Sequence, residues 1–418
     1  MDCQDIERVS DQVRQIVLEG YDGEPEPETF APKELWQHVA SCGSELWLDT
    51  GDIEASKPIW CREFRAFTTN NTLLNKEVAK GTYDELIADT TDQLQGQVPE
   101  EDLPLEVTFV LNARHALKLV HKFGAHVSVE LHTDLVDDVE RSVAYGKRYY
   151  EICPEYFYVK VPFTPSGLLA ARRLRQEGIP VNCTLGFAAR QNYLIAAVAE
   201  PAFCNVFLGR LNSFVADNNL GSGEMVGERT AIASQQNVEE LRREMGLKTR
   251  QIAASMRDGS QVLRLAGIDV LTMPVNVATE FEELNPEADE ITPRTGKLPD
   301  VDFAPDTDVQ EAGIDKLWTV PDAFKRAVMD LKEWNLDNFT ADDVREFFGD
   351  RGFEGFLPAW SDEDRQTARE NGKIPDYDIW KESMAEARAD LDALMNLHAI
   401  YYFAADQKEM DERVKSML

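Results

Sequence analysis

Hydrophobic and polar positions alternate regularly over the first 275 residues. Short runs rich in Val, Ile and Phe are separated by longer stretches that have one apolar and one charged face. Such alternation favours a parallel sheet wrapped by helices. Because eight runs have the length of a strand, we predict an α/β fold with a closed (β/α)8 TIM barrel. The predicted strands are 45–49, 64–70, 126–131, 156–163, 181–185, 204–210, 250–255 and 268–273.

The stretch "SGLLAARRLRQEG" is typical of the predicted connecting helices. Its Leu and Ala positions recur at helical spacing between Ser166 and Gly178. A serine often caps the start of a helix and a glycine often ends one, so we expect Ser166 as the N-cap and Gly178 as the stop.

The pattern changes after residue 275. An acidic, Pro-rich stretch without periodicity predicts a long surface connection, and helical patterns with aromatic anchors follow it. These aromatics suit packing on the barrel, an oligomer interface or a lid. We therefore expect an additional α-helical C-terminal region. The predicted units are a helical segment (1–40), the barrel (41–279), the connection (280–315), a helical insertion (316–395) and a closing helix (396–418).

Charge narrows the choice of partners. The 418 residues include 76 acidic and 43 basic side chains, for a net charge of -33. This field repels nucleic acid and anionic membrane surfaces, so an anionic substrate would need a local cluster of Arg and backbone N–H groups. The acidic excess is compatible with an ordinary acidic bacterial enzyme or with adaptation to high salt.

The cysteine pattern and the absence of known motifs indicate the cellular compartment and limit the possible cofactors. The six cysteines are scattered singly, which is typical of a reducing cytoplasm, and no run approaches the roughly 18 apolar residues of a membrane span. The sequence has no P-loop, H-E-x-x-H or G-x-S-x-G motif, and its six histidines are not at paired metal spacings. We expect a cytoplasmic protein without a metal or another cofactor.

Polar residues of reactive types occur where the predicted strands end. The carboxyl ends of barrel strands form the active-site face of such folds. Each residue alone has an ordinary explanation as part of a turn, a strand end or a helix start, but together they favour a functional site. They are Asp49, Thr69, Asn70, Glu130, Lys160, Asn182, Thr184, Arg210, Ser255 and Arg257.

Lys160 is the unusual member, because it interrupts the apolar run "YFYVKVPF". Burial disfavours the charged form of a lysine, so its amine becomes available as a nucleophile for a carbonyl. An iminium on a ketose is an electron sink that allows a carbon–carbon bond to break. We expect Asp49 to take the proton in that step, and Glu130 and Thr184 to hold the water that shuttles protons.

Residues near the ends of the sixth and seventh predicted strands are suited to bind a phosphate group on such a ketose. Arg210, Ser255 and Arg257 offer guanidinium and hydroxyl donors for a phosphate. They form the local cluster of donors that an anionic substrate would need in a protein of this negative net charge.

In this arrangement the sequence resembles the transaldolase family, a group of class I aldolase-type barrels whose Schiff-base lysine lies on strand four. The resemblance covers most of 45–275, and "YYFAADQKEMDERV" (401–414) is similar to the closing helix of the family. The matching segments are "LDTGDI" (48–53), "TTN" (68–70), "VSVEL" (127–131), "VKVPFT" (159–164), "EGIPVNCTL" (177–185), "FLGR" (207–210) and "ASMR" (254–257).

The resemblance implies a transaldolase that uses sugar phosphates such as sedoheptulose 7-phosphate or fructose 6-phosphate, and a homodimer. It also implies substrate-binding roles for Thr69, Asn70, Asn182 and Phe207, beside the roles given above. Two positions depart from the family pattern, since Asn71 replaces a proline and Asn205 replaces a serine.

Alternatives remain open within and outside this family. "KVPFT" is closer to fructose-6-phosphate aldolases, whereas Glu130 and Phe207 favour the transferase. The rival activities are an aldolase that releases dihydroxyacetone and a transaldolase for a different sugar. A catalytically silent sugar-phosphate-binding protein is the rival from another class.

Overall fold

The computed structural model describes residues 1–21 and 29–417. Eight parallel strands pair in chain order, and the last strand pairs with the first to close a barrel. The predicted (β/α)8 architecture is confirmed. The strands are β1 (Glu45–Asp49), β2 (Phe64–Thr68), β3 (His126–Glu130), β4 (Phe157–Pro162), β5 (Val181–Thr184), β6 (Phe203–Phe207), β7 (Arg250–Ala254) and β8 (Val270–Met273).

Helices surround the barrel and form the additional C-terminal region. Short 3-10 turns lie at Thr133–Leu135 and Ile314–Leu317, and a π-helical turn lies at Ile195–Ala199. The α-helices are α1 (Cys3–Leu18), α2 (Glu34–Ser41), α3 (Ile53–Ser56), α4 (Asn71–Val78), α5 (Asp84–Leu94), α6 (Leu103–Phe123), α7 (Val139–Ile152), α8 (Pro165–Gln176), α9 (Ala189–Leu194), α10 (Leu208–Asp217), α11 (Val226–Met245), α12 (Ser260–Arg264), α13 (Val275–Leu284), α14 (Asp322–Lys332), α15 (Ala341–Gly349), α16 (Asp362–Glu370), α17 (Tyr377–Ala385) and α18 (Leu391–Ser416).

Two local predictions were wrong. The sixth strand ends at Phe207, so Arg210 lies in the first turn of α10 and not in a strand. The N-cap of α8 is Thr164, whose hydroxyl accepts a hydrogen bond from the Gly167 N–H at 2.8 Å. Pro165 then takes the first helical position, where a missing N–H is harmless, and the Ser166 hydroxyl donates to the Asp137 carbonyl instead.

The barrel interior has an aromatic lower part and a polar upper part. In the lower part Trp47 stacks on Tyr158 with ring centroids 5.7 Å apart, and Phe203 packs edge-on against Trp47 at 4.7 Å. Side chains two residues apart on a strand point to the same face, so Lys160 projects into the interior above Tyr158. The lysine therefore marks the change from the packed floor to the open end.

The region after α13 packs against the side of the barrel. The stretch predicted as a connection begins inside α13, and residues 285–313 contain no α-helix or strand. Phe347, Phe348 and Trp380 are buried, whereas Trp334 is 48% exposed, so most of these aromatics serve packing. The closing helix begins at Leu391, five residues before its predicted start. Within the described residues, no helix combines the length and apolar character needed to cross a membrane.

Candidate active site

Three polar side chains share one level at the open end of the barrel. Glu130 is in register with Lys160, and Lys160 is in register with Asn182. Residues in register on parallel strands point to the same face, so all three face the interior. Lys160 is 3% exposed. Its Nζ donates to the Thr69 carbonyl at 3.0 Å and lies 3.4 Å from Glu130 Oε1.

Glu130 is held at the N-terminus of α4. Its Oε2 accepts a hydrogen bond from the Asn71 backbone N–H at 3.3 Å. Burial raises the pKa of Glu130, while the Lys160 charge and the Asn71 N–H oppose that rise. A carboxylate at a helix N-terminus is also favoured by the helix dipole. Glu130 is therefore a buried base within reach of the Lys160 ammonium.

Asp49 ends β1, close enough to Lys160 for the two charges to interact. Its Oδ1 accepts from the Thr68 hydroxyl at 2.8 Å, and Thr68 also shares a hydrogen bond with the Thr272 hydroxyl at 2.7 Å. Burial raises the pKa of Asp49, opposed chiefly by the Lys160 charge. The sequence analysis missed Thr68 and Thr272, although Thr68 is the first residue of the "TTN" signature.

The neutral polar residues of the site differ in whether their polar atoms are free or held by neighbouring residues. Asn182 donates to the Ser128 hydroxyl at 2.9 Å, and its buried Oδ1 has no hydrogen-bond partner in the described part of the chain. Thr184 is completely buried, and its hydroxyl accepts from Asn205 at 2.9 Å. Asn70 caps α4 through the Leu73 N–H at 2.9 Å.

A close approach between α10 and the residues that follow β7 brings the positive residues together. A Cβ on Gly209 would lie 2.1 Å from the Ser255 carbonyl oxygen and 2.7 Å from Arg257 Nε. Only glycine permits this contact. Ser255 itself has a φ of 65°, a left-handed conformation that is strained for serine and is often found at functional sites. The glycine of "FLGR" therefore places Arg210 beside Ser255 and Arg257.

Arg210 is buried and forms no ion pair with any other described residue. It is 5% exposed, and its guanidinium lies 5.1 Å from the Tyr402 ring centroid and 5.0 Å from that of Phe403. Its Nη1 has no hydrogen-bond partner among the described residues. Burial, together with the nearby Arg257 charge, lowers the pKa of Arg210 to about 10. Such a group is suited to receive an anion.

These residues surround one cavity of about 290 Å³. Thr69, Glu130 and Thr184 lie behind its lining, and the other predicted site residues line it. Lining residues that the sequence analysis missed include Tyr402 and Phe403 of α18. Asp49 is the one acidic residue among the described lining residues, whereas five are cationic. The cations are Lys76, Lys160, Arg210, Arg257 and Lys373.

One group with metal-ligand spacing occurs among the described residues, outside this cavity. Ligand atoms of His132, Asp134 and Asp411 lie within 4.8 Å of one another. His132 Nδ1 already accepts from the Asp134 N–H at 3.1 Å, and its Nε2 lies 3.3 Å from Asp411. Both ring nitrogens are thus satisfied by protein groups, as in a structural hydrogen-bonded cluster.

Comparison with known proteins places this geometry in context. A family model described as Transaldolase/Fructose-6-phosphate aldolase matches residues 46–346. A probable transaldolase of Thermus thermophilus is 33% identical over 234 residues, which is 55% of this chain and 86% of that protein. A transaldolase of Xanthomonas campestris is 27% identical over 308 residues, covering 68% and 93% of the two chains. A probable transaldolase of Kosmotoga olearia is 28% identical over 235 residues, covering 56% and 85%.

Proposed function

Because the chain belongs to the transaldolase/fructose-6-phosphate aldolase family, we propose that it is a transaldolase that works through an iminium on Lys160. It would move a dihydroxyacetone unit from a ketose phosphate to an aldose phosphate, with fructose 6-phosphate or sedoheptulose 7-phosphate as the donor. The observation that carries this proposal is the buried Lys160 Nζ, which lines one cavity with Asp49 and the Arg210–Arg257 pair.

The first half of the reaction builds the iminium. Lys160 passes a proton to Glu130, whose carboxylate lies 3.4 Å away and whose pKa is raised by burial. The free amine attacks the C2 carbonyl of the ketose, and the resulting carbinolamine loses water. Glu130 returns the proton to the departing hydroxyl, and Thr184 would position the water that relays it.

The second half breaks and remakes a carbon–carbon bond. Asp49 takes the proton of the C4 hydroxyl, the C3–C4 bond breaks, and its electron pair moves into the iminium to give an enamine. The aldose phosphate leaves as an aldehyde. The enamine then attacks the aldehyde carbon of the acceptor, Asp49 returns the proton, and water releases the new ketose from Lys160.

The residues toward the cavity mouth would hold the phosphate. Arg210 and Arg257 lack carboxylate partners among the described residues, so an incoming phosphate would replace lost solvation without competition from the protein. Asn182 and Asn70 line the cavity and offer hydrogen bonds to sugar hydroxyls, while Phe207 and Phe403 close one side with apolar surface.

The main alternative is an aldolase that releases dihydroxyacetone. The two activities share every step up to the enamine, which is either protonated or passed to an acceptor. The experiment incubates the protein with fructose 6-phosphate, with and without erythrose 4-phosphate, and measures sedoheptulose 7-phosphate and free dihydroxyacetone.

A transaldolase forms sedoheptulose 7-phosphate only with the acceptor and releases little dihydroxyacetone. Steady release of dihydroxyacetone without an acceptor would instead identify the aldolase. The matched control is Lys160→Met, which keeps an unbranched side chain one atom shorter and has no amine. Full activity in this variant would remove the proposed mechanism.

A further inference from the structure

The helical insertion (316–395) contributes a cation to the cavity. Lys373 lies in the turn between α16 and α17, and it lines the cavity together with Arg210 and Arg257. In the described part of the chain, no carboxylate lies within ion-pair distance of any of these three side chains. In a protein with a net charge of -33, a group of three cations without an acidic partner is unexpected for a solvated surface.

The turn that carries Lys373 is fixed on both sides. Before it, the Gly372 carbonyl lies 2.9 Å from Nδ1 of His398, a buried residue of α18. After it, the Pro375 carbonyl accepts from Asn218 Nδ2 at 3.1 Å, and the Tyr377 N–H donates to Asn218 Oδ1 at 2.8 Å.

Both anchors belong to helices that already build the cavity. Asn218 caps the C-terminus of α10, whose first turn carries Arg210, and α18 supplies Tyr402 and Phe403. The insertion is therefore tied to the two helices that frame the positive end of the cavity. These anchors fix the position of the turn, and the Lys373 Nζ lies 6.0 Å from the centroid of the Tyr402 ring.

The three cations also act on one another. Partial burial lowers the pKa of Lys373, and the charges of Arg257 and Arg210 lower it further, while the charge of Asp217 opposes these shifts. The buried Nη1 of Arg210 has no hydrogen-bond partner among the described residues. Like charges held together at an open cavity repel one another until an anion neutralises them. The group is thus arranged for an occupant with more than one negative charge.

We propose that Lys373 is a third anion ligand, supplied by the helical insertion, which completes the binding site for the phosphate dianion of the substrate. The sugar part of this inference rests on the proposed function. The insertion thereby selects phosphorylated over unphosphorylated sugars. The anion site itself depends only on the three cations and on the absence, among the described residues, of a carboxylate within ion-pair distance of them.

The first test uses inorganic phosphate as the probe. Isothermal titration at constant ionic strength compares the wild type with Lys373→Gln, Lys373→Arg and Lys381→Gln. The last variant is a matched control, because Lys381 lies in the same insertion, 2.7 Å from Asp378 and 56% exposed. Loss of one charge-assisted contact should weaken phosphate binding about tenfold in Lys373→Gln. Lys373→Arg and Lys381→Gln should bind like the wild type.

Unchanged phosphate affinity in Lys373→Gln would overturn the proposal. This titration needs no turnover, so an inactive wild type that binds phosphate would contradict the proposed function but not the anion site.

The second test uses turnover. In Lys373→Gln the KM for fructose 6-phosphate should rise about tenfold with little change in kcat, and kcat/KM for unphosphorylated fructose should stay the same. An equal loss with both sugars would contradict a role in selecting the phosphate.

Discussion

Two arginines of this protein are equally buried and have opposite surroundings. Arg190 and Arg210 are each 5% exposed. Arg190 donates to Asp392 Oδ2 at 2.9 Å and to Asp390 Oδ2 at 2.7 Å, and these carboxylates raise the pKa of the arginine above its usual value. Arg210 has aromatic rings around it and no carboxylate partner within the described residues, and its pKa is lowered to about 10.

The difference separates a structural charge from a charge kept for a ligand. Arg190 ties α9 to the start of α18, and its charge is neutralised within the fold. Breaking such a buried pair leaves an uncompensated charge. Arg210 has aromatic rings against it and no ion pair within the described residues, so its burial is a stability cost that a bound anion would offset. A buried cation without a partner therefore marks a binding site better than burial alone.

The largest effect is expected for Arg190→Ala. Its removal leaves Asp390 and Asp392 buried without their arginine, so the free energy of unfolding should fall by about 3–5 kcal/mol. Urea unfolding followed by circular dichroism measures this change. A loss below about 1 kcal/mol would show that the ion pairs of Arg190 do not stabilise the fold as proposed.

Arg210→Ala should give the opposite pattern. We expect kcat/KM for a phosphorylated donor to fall about 100-fold, because a charge-assisted contact to the phosphate is lost. The free energy of unfolding should not fall, because no ion pair is broken. Steady-state kinetics and urea unfolding on the same preparation test both halves, and Arg210→Lys should restore part of the activity. Strong destabilisation with normal kinetics would make Arg210 a structural residue.

Asp49→Asn extends the comparison to a carboxylate of the site. Because burial raises the pKa of Asp49, the stability linked to its protonated form is present in acid and is lost as the pH rises through that raised pKa. Removal of the charge should therefore raise Tm at pH 7.5 by about 2 °C while abolishing turnover. The gain should disappear toward pH 4. Thermal scans across pH give the answer, and a lower Tm at pH 7.5 would show that the Asp49 charge stabilises the fold.

The smallest effect is expected for Asn71→Pro, which removes one backbone hydrogen bond to Glu130. Proline is accepted at the first position of a helix, and the extended backbone of Asn70 suits a following proline. The substitution removes the N–H that donates to Glu130 Oε2. The ionised form loses a stabilising contact, so the pKa of Glu130 should rise.

The measurement for Asn71→Pro is the pH profile of kcat/KM. Its acid limb should move up by about 0.5–1 pH unit. Asn71→Ala keeps the backbone N–H and should leave the limb in place. Equal shifts in both variants would assign the effect to the side chain.

The sequence predicted the barrel well, because strands and helices alternate with clear periodicity. It also predicted that the polar residues at the strand ends lie close together, because the barrel brings the carboxyl ends of its parallel strands to one end. The prediction that Arg210 ends a strand was wrong, because "CNVFLGR" continues an apolar pattern past Phe207, where α10 begins and Gly209 packs against the Ser255 carbonyl.

The remaining site residues depend on distant parts of the chain. Lys373 follows Lys160 by more than 200 residues, and only the anchors on α10 and α18 bring its turn to the cavity. Arg190 meets its carboxylates in the same way, across about 200 residues. No local pattern signals such pairs, which is why the sequence left the role of the insertion open.

The proposed reaction depends above all on an iminium between Lys160 and a ketose phosphate. Borohydride reduction in the presence of fructose 6-phosphate, followed by intact and peptide mass spectrometry, tests it directly. We predict a three-carbon adduct on the peptide that contains Lys160, and none in Lys160→Met. A folded wild-type protein that turns over the sugar phosphate without any adduct on Lys160, or with the adduct on another lysine, would rule out an iminium on Lys160.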